Sequence, residues 1–189
     1  MFEQMTWLNE PPELSAEGRV LRATTGDKTD FWRSTFYGFI RDDGHFMYLT
    51  VPGDFTASVT IAGRYEALYD QCGMMVRADD RHWLKTGVEY TDGVEHMSTV
   101  VTRDFSDWSI TSPSGRAGDL RLRVTRHGEA LRSEYSKGDS GWHLLRLAYL
   151  DMPEAVAIGV MCCSPQRSGF RAEFRDFTVG PPVARSLHD

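Results

Sequence analysis

The segment WLKTGVEY, residues 83–90, carries an aromatic ring, a cation and an anion at alternating positions. Side chains two residues apart share one face of a β-strand, so Trp83, Lys85 and Glu89 would lie on the same face. Such a group could bind a polar ligand, because the ring can stack on apolar surface while the charged groups form hydrogen bonds. A carboxylate such as Glu89 could also act as an acid or nucleophile in glycoside hydrolysis.

A helix would also bring Lys85 and Glu89 together, because they are four residues apart. The order Lys before Glu is the weaker one for a helix, however, and Gly87 with the β-branched Thr86 and Val88 favours a strand. We therefore predict a β-strand whose second face belongs to the hydrophobic core. That second face consists of Leu84, Thr86, Val88 and Tyr90.

Two neighbouring segments, DQCGMMVR and STVVTR, extend this pattern. If the three strands are successive and antiparallel, one outer sheet face carries a polar set made of Gln71, Arg77, Lys85, Glu89 and Arg103. One interpretation is a ladder of ion pairs on a wet face, worth about 0.2 to 1 kcal/mol per pair. The other is a binding site for hydroxyls or a carboxylate-bearing sugar, with Arg103 as a two-pronged donor and Lys85 as a point charge.

Aromatic residues near this polar set would suit a carbohydrate ligand, because aromatic rings stack on the apolar faces of sugars. Trp32, Tyr37 and Trp108 are the candidates. Tyr37 could equally fill the core of the domain. Trp32 and Trp108 occur among turn-forming residues beside charged ones, which favours a role in lining a groove.

Catalysis through Glu89 is the alternative to binding. Glycoside hydrolysis usually needs two carboxylates roughly 5 to 9 Å apart, and this strand supplies one. Lys85 and Arg103 nearby would lower the pKa of Glu89 and keep it ionised, which does not suit an acid. A hydrolase or lyase mechanism using Glu89 therefore stays open without being favoured.

The elements that must position these residues are β-strands. Eleven short segments rich in Val, Thr, Tyr, Phe and Trp alternate with clusters of Gly, Asp, Pro and Ser, which is typical of an all-β sandwich or barrel. Turns such as RDDGH at 41–45 and YTDGVE at 90–95 place Gly where a positive φ is easily adopted. The chain length predicts one domain over residues 1–189.

The composition narrows the range of partners. A net charge of -6, from 21 Lys and Arg against 27 Asp and Glu, disfavours nucleic acid. No stretch predicts a membrane span or a signal peptide, so we expect a cytoplasmic protein without a membrane partner. The three cysteines predict buried core thiols, and no motif indicates a metal site or a cofactor.

Four long segments resemble an uncharacterised bacterial and fungal domain family, one of whose members is named for the regulation of enolase. The segments follow the order of the family and span nearly the whole chain. They are DFWRSTFYGFIRDDGHF, GDFTASVTIAGRYEALYDQCGMMVRAD, HWLKTGVEYTDGVEHMSTVVTRDFSDWS and SGFRAEFRDFTVG.

The resemblance implies a concanavalin A-like fold, a jelly roll of two antiparallel sheets with one concave face where related lectins and glucanases hold sugars. No established activity comes with the family. We therefore expect a saccharide or sugar derivative as the ligand, and the name of the family member adds a protein partner in carbon metabolism as an alternative. The predicted ligand-binding residues are Trp32, Gln71, Arg77, Lys85, Glu89, Arg103 and Trp108.

Overall fold

The computed structural model describes residues 2–111, 119–138 and 140–187. These ranges contain sixteen β-strands. The first antiparallel sheet contains, in spatial order, β1 (Thr6–Leu8), β6 (His45–Pro52), β15 (Ala155–Cys163), β8 (Gln71–Arg77), β9 (His82–Thr91), β10 (Val94–Arg103) and β11 (Phe105–Thr111). The second contains β14 (His143–Tyr149), β13 (Ala130–Lys137), β12 (Leu120–His127), β7 (Phe55–Gly63), β16 (Arg171–Gly180), β3 (Val20–Thr24) and β2 (Glu13–Glu17).

A separate two-stranded hairpin is formed by β4 (Phe31–Arg33) and β5 (Ile40–Asp42). The other regular element is a short 3-10 turn at Phe2–Gln4. Within the described ranges, no helix has the length and apolar character needed to cross a membrane. The two stacked sheets confirm the predicted all-β jelly-roll sandwich.

Each of the eleven segments predicted as strands contains one strand of the structure. The five strands that the pattern missed are short or lie at a sheet edge, where alternation of apolar and polar residues is weak. They are β1, β2, β4, β5 and β11. The strand β2, for example, is exposed along its whole length, so burial leaves no periodic signal in its sequence.

The main core lies between the two sheets. In β7, the alternate residues Phe55, Ala57, Val59 and Ile61 are buried while the residues between them are partly exposed. The facing side of β9 contributes Leu84 and Val88 to the same core, as the strand prediction required.

A second apolar cluster covers the other side of the first sheet, which we call its outer face. The cluster consists of Phe31, Trp32, Phe46, Met75, Trp83, Val100, Met161 and Cys163. Because the β4–β5 hairpin supplies Phe31 and Trp32, it covers part of the outer face. The central strands β8 and β9 are therefore buried on both faces, and their burial is almost continuous along the strand.

Arg77 fastens the hairpin to the sheet. Its guanidinium donates two hydrogen bonds to the Asp42 carboxylate, of 2.7 and 2.8 Å, and its Cζ lies 5.9 Å from the centre of the Phe31 ring. Such paired bonds give a fixed geometry, because guanidinium and carboxylate match each other in shape.

The three cysteines are buried and unpaired, as predicted. Burial raises the pKa of Cys72 to about 12 and that of the other two thiols still further. Reactive cysteines have lowered pKa values, so these thiols serve as core side chains.

Candidate functional site

A pocket of about 290 Å³ opens on the outer face of the first sheet, beside the β4–β5 hairpin. Its floor is formed by β8, β9 and β10, and its walls by the hairpin, by β11 and by the loops before β8 and after β15. Five aromatic residues line it, namely Trp32, Tyr37, Phe39, Tyr69 and Trp108. Polar groups reach it as well, among them those of Asp30, Gln71, Lys85 and Glu89.

Lys85 is 3% exposed and bonds to the segment that covers it. Its Nζ donates to the carbonyl oxygen of Phe31 at 2.7 Å and to Oδ1 of Asp30 at 3.1 Å. Burial alone would lower the pKa of this amine, but the nearby Asp30 carboxylate outweighs burial and the pKa is raised. Lys85 is therefore charged, and its charge is balanced by Asp30.

Glu89 is 6% exposed and accepts two hydrogen bonds on one carboxylate oxygen. The Ser98 hydroxyl donates to Oε2 at 2.6 Å and the Trp108 indole N–H donates to it at 3.0 Å. Burial raises the pKa of Glu89 despite the opposing effects of Lys85 and of these two donors. The prediction of a lowered pKa was wrong, because it assumed a wet face where the hairpin and β11 exclude water.

Trp108 lies on β11, directly opposite Val100 of β10, so it shares the face of Lys85 and Glu89. The prediction that Trp108 occurs among turn residues was wrong. Its segment is an edge strand, and the neighbouring charged residues Asp104 and Asp107 form ion pairs with Arg81 and Arg146. Trp108 nevertheless lines the pocket, and its indole ring forms one wall.

Gln71 at the start of β8 and Tyr69 in the loop before it also line the pocket. The Gln71 amide donates to the Tyr69 carbonyl at 3.2 Å, and the Tyr69 hydroxyl lies 2.9 Å from that of Tyr37 on the hairpin. This hydroxyl contact raises the pKa of Tyr69 to about 12, with a smaller contribution from burial. The tyrosine pair thus joins the hairpin to the loop before β8.

Asp70 anchors the two loops that carry Tyr69, Pro165 and Gln166 to the pocket. Its fully buried carboxylate accepts bonds from the Ser164 hydroxyl at 2.7 Å, from the Arg167 guanidinium at 2.6 Å and from two backbone N–H groups of the loop. Burial on its own would raise the pKa of Asp70, but these donors together hold it below its usual value.

Replacing Asp70 by asparagine is expected to lower the free energy of unfolding at neutral pH by about 2 kcal/mol. Because the folded pKa lies below the unfolded one, this stabilisation is complete above about pH 4 and disappears as the pH falls through the folded value. Urea unfolding at neutral and acid pH measures it. The exposed Asp107, changed to asparagine, is the control, and an equal loss for both variants would contradict the assignment.

Two predicted site residues do not reach the pocket. Arg77 shares the outer face but is engaged by Asp42. The prediction that Arg103 lies on the face of Lys85 was wrong. Arg103 pairs with His82 of β9, and His82 points to the face opposite Lys85, so Arg103 does too. Its exposed guanidinium lies 5.9 Å from the centre of the Tyr149 ring on the second sheet.

The predicted ion-pair ladder is also absent among the described residues, since Lys85 pairs with Asp30 and Glu89 bonds to Ser98 and Trp108. Asp30 and Tyr69 are two of the pocket residues that were not predicted from the sequence. Both lie in segments that contain predicted site residues. Asp30 precedes Phe31 and Trp32 in DFWR, and Tyr69 lies two residues before Gln71 in YDQ. Across residues 2–111, 119–138 and 140–187, no three His, Cys, Asp or Glu residues form a group that could hold a metal.

The two stacked seven-stranded sheets, with a pocket on an outer face, define an all-β jelly-roll sandwich with the concanavalin A-like fold. Residues 7–182 match the family described as protein of unknown function (DUF1349), and the chain belongs to that family. It is 44% identical over 188 residues to a Saccharomyces cerevisiae protein named "Regulation of enolase protein 1", covering 100% of this chain and 95% of the relative.

Solved structures show the same architecture. A crystal structure of a functionally unknown protein from Saccharomyces cerevisiae superposes with a TM-score of 0.93 at 43% identity, covering 97% of this chain and 99% of the other. A GH43 protein of Bacillus licheniformis has a TM-score of 0.69 at 17% identity, over 94% of this chain and 38% of its own. A Bauhinia forficata lectin in complex with GalNAc has a TM-score of 0.59 at 14% identity, over 95% and 93%. The last two similarities show the fold alone.

Proposed function

We propose that the protein binds a saccharide or sugar derivative in the pocket on the outer face of the first sheet. The observation that carries the proposal is the lining, where Trp32 and Trp108 offer apolar ring surface beside the buried polar groups of Gln71 and Glu89. Sugars present apolar ring faces and a rim of hydroxyls, so they match such a lining. The volume of about 290 Å³ suits one or two sugar rings.

The test is a binding screen with a panel of mono- and disaccharides, followed by titration of the Trp108→Ala variant. Loss of the ring and of its hydrogen bond to Glu89 is expected to weaken binding at least tenfold. Trp142→Ala is the matched control, because Trp142 packs against Arg121 and Arg123 on the second sheet. A panel without any ligand, or equal affinities for both variants, would contradict the proposal.

A second candidate function is catalysis with Glu89 as general acid, a hydrolase or lyase reaction. It is favoured by the raised pKa of Glu89, which lets the carboxyl keep its proton closer to neutral pH, and by Asp30 as a second carboxylate in the same pocket. Glu89→Gln is expected to lower the turnover of aryl glycosides by a factor of roughly 100 or more. Unchanged turnover would exclude Glu89 from the reaction.

A third candidate is regulation of a carbon-metabolism enzyme, which the name of the Saccharomyces cerevisiae relative suggests. The hairpin tip supports it, because Phe36 is 94% exposed and an exposed aromatic ring is typical of interaction sites. The direct test is binding to purified enolase from the same organism, with Phe36→Ser expected to abolish it. Such a role fits a cytoplasmic location, where the three unpaired thiols would stay reduced.

A further inference from the structure

The charges inside the pocket are not balanced. Lys85 is neutralised by Asp30 at 3.1 Å, and neither Arg77 nor Arg103 reaches the cavity. At the mouth, Arg41 is paired with Asp43 at 3.2 Å, and Lys28 is exposed to water, where its charge is screened. The described lining of the interior therefore holds two carboxyl groups, those of Asp30 and Glu89, and one ammonium group, that of Lys85, which bonds to Asp30.

The Glu89 carboxylate also has an unused oxygen. Ser98 and Trp108 both donate to Oε2, and no described residue donates a hydrogen bond to Oε1. An ionised carboxylate in a buried position is costly unless a cation and hydrogen-bond donors meet it. The protein supplies two donors to Oε2, while the nearby Lys85 ammonium bonds to Asp30 and Phe31, so Oε1 is left for a charged donor from a ligand.

The aromatic walls favour the same kind of ligand. The Tyr37 and Phe39 rings stack with centroids 5.4 Å apart, the Tyr69 hydroxyl contacts that of Tyr37, and the Trp108 and Tyr69 rings meet edge to face at 6.3 Å. The face of an aromatic ring carries negative electrostatic potential and attracts cations, and ammonium groups are held in proteins by such aromatic enclosures.

We propose that the pocket selects ligands with an ammonium group, which donates a hydrogen bond to Oε1 of Glu89 inside the aromatic walls. The proposal rests on the proposed function and narrows its ligand class to amino sugars. It reverses the expectation of a carboxylate-bearing sugar, which required a free Lys85 and a nearby Arg103.

Calorimetric titration with two matched pairs tests the proposal, D-glucosamine against D-glucose and D-galactosamine against D-galactose, slightly below neutral pH where the amines are protonated. The amino sugars are expected to bind at least tenfold more tightly than the neutral sugars. In Glu89→Gln this preference is expected to disappear, so that the amino sugar and the neutral sugar of each pair bind with similar affinity. Glu173→Gln, on the second sheet and paired with Arg22, is the control that keeps the preference.

A measurement on the unmodified protein covers the case in which Glu89→Gln fails to fold. Its affinity for glucosamine is expected to fall at least tenfold as the pH rises above the pKa of the sugar's amine, whereas its affinity for glucose stays unchanged. Equal affinities within each pair would overturn the inference and leave saccharide binding intact. Ethanolamine, an ammonium compound without a sugar ring, bound as tightly as glucosamine would support ammonium recognition and overturn the saccharide function, whereas no binding by any of these compounds would overturn both.

Discussion

Replacing Lys85 by methionine is expected to lower the free energy of unfolding by about 3 to 5 kcal/mol. Methionine fits the space of the lysine stem but leaves two groups without their donor, the Asp30 carboxylate and the Phe31 carbonyl. Both belong to the segment that covers the outer face, so an uncompensated charge would remain under the hairpin. Removing one partner of a buried ion pair costs far more than the pair contributes when it is complete.

Urea unfolding of the variant measures this loss, with the exposed Lys28→Met as the matched control, for which a change of less than about 0.5 kcal/mol is expected. Adding Asp30→Asn to Lys85→Met removes the unpaired charge and is expected to restore part of the stability. If the double variant were less stable than Lys85→Met alone, Asp30 would not be the partner that the structure assigns.

A second large effect is expected for Gly87→Ala, which should prevent folding or cost more than about 4 kcal/mol. Gly87 pairs directly with Gly73 on the neighbouring strand, below the pocket. A Cβ added at Gly87 would overlap the carbonyl oxygen of Cys72 and lie 2.6 Å from Cα of Gly73. Both obstacles are backbone atoms of a central strand, so they can move only if β8 and β9 separate.

The level of folded protein and its thermal unfolding, followed by circular dichroism, measure this effect. Gly180→Ala is the control, because no neighbouring atom lies within 4 Å of a Cβ at that position and its stability should be nearly unchanged. A Gly87→Ala protein as stable as the parent would show that the two strands have more freedom than their spacing in the structure allows.

The strands and most of their faces could be predicted from residue patterns, since alternation in β9 separates Leu84 and Val88 from Lys85 and Glu89. The same reasoning failed for Arg103. Both alternate sets of β10 mix Val with Ser or Thr, so hydrophobicity does not indicate which set faces the core. The ladder with β9 decides it, and pairing register is a property of two strands together.

The chemistry of the site could not be predicted in the same way, because it depends on what covers the outer face. Lys85 and Asp30 are 55 residues apart in sequence, and their contact exists only when the hairpin is docked. The direction of the Glu89 pKa shift has the same origin, since burial outweighs the nearby positive charge. A strand pattern identifies which side chains share a face, but not whether that face is wet.

The position of the hairpin in the chain also orders the events of biosynthesis. Phe31 and Trp32 leave the ribosome early, whereas the surface on which they pack includes Trp83, Val100 and Met161. Their packing surface is therefore incomplete until the strand that ends at Cys163 has been made, and contacts of such long sequence separation form slowly. The ligand pocket can therefore form only after most of the chain has been made, so ligand-binding competence is acquired late in synthesis.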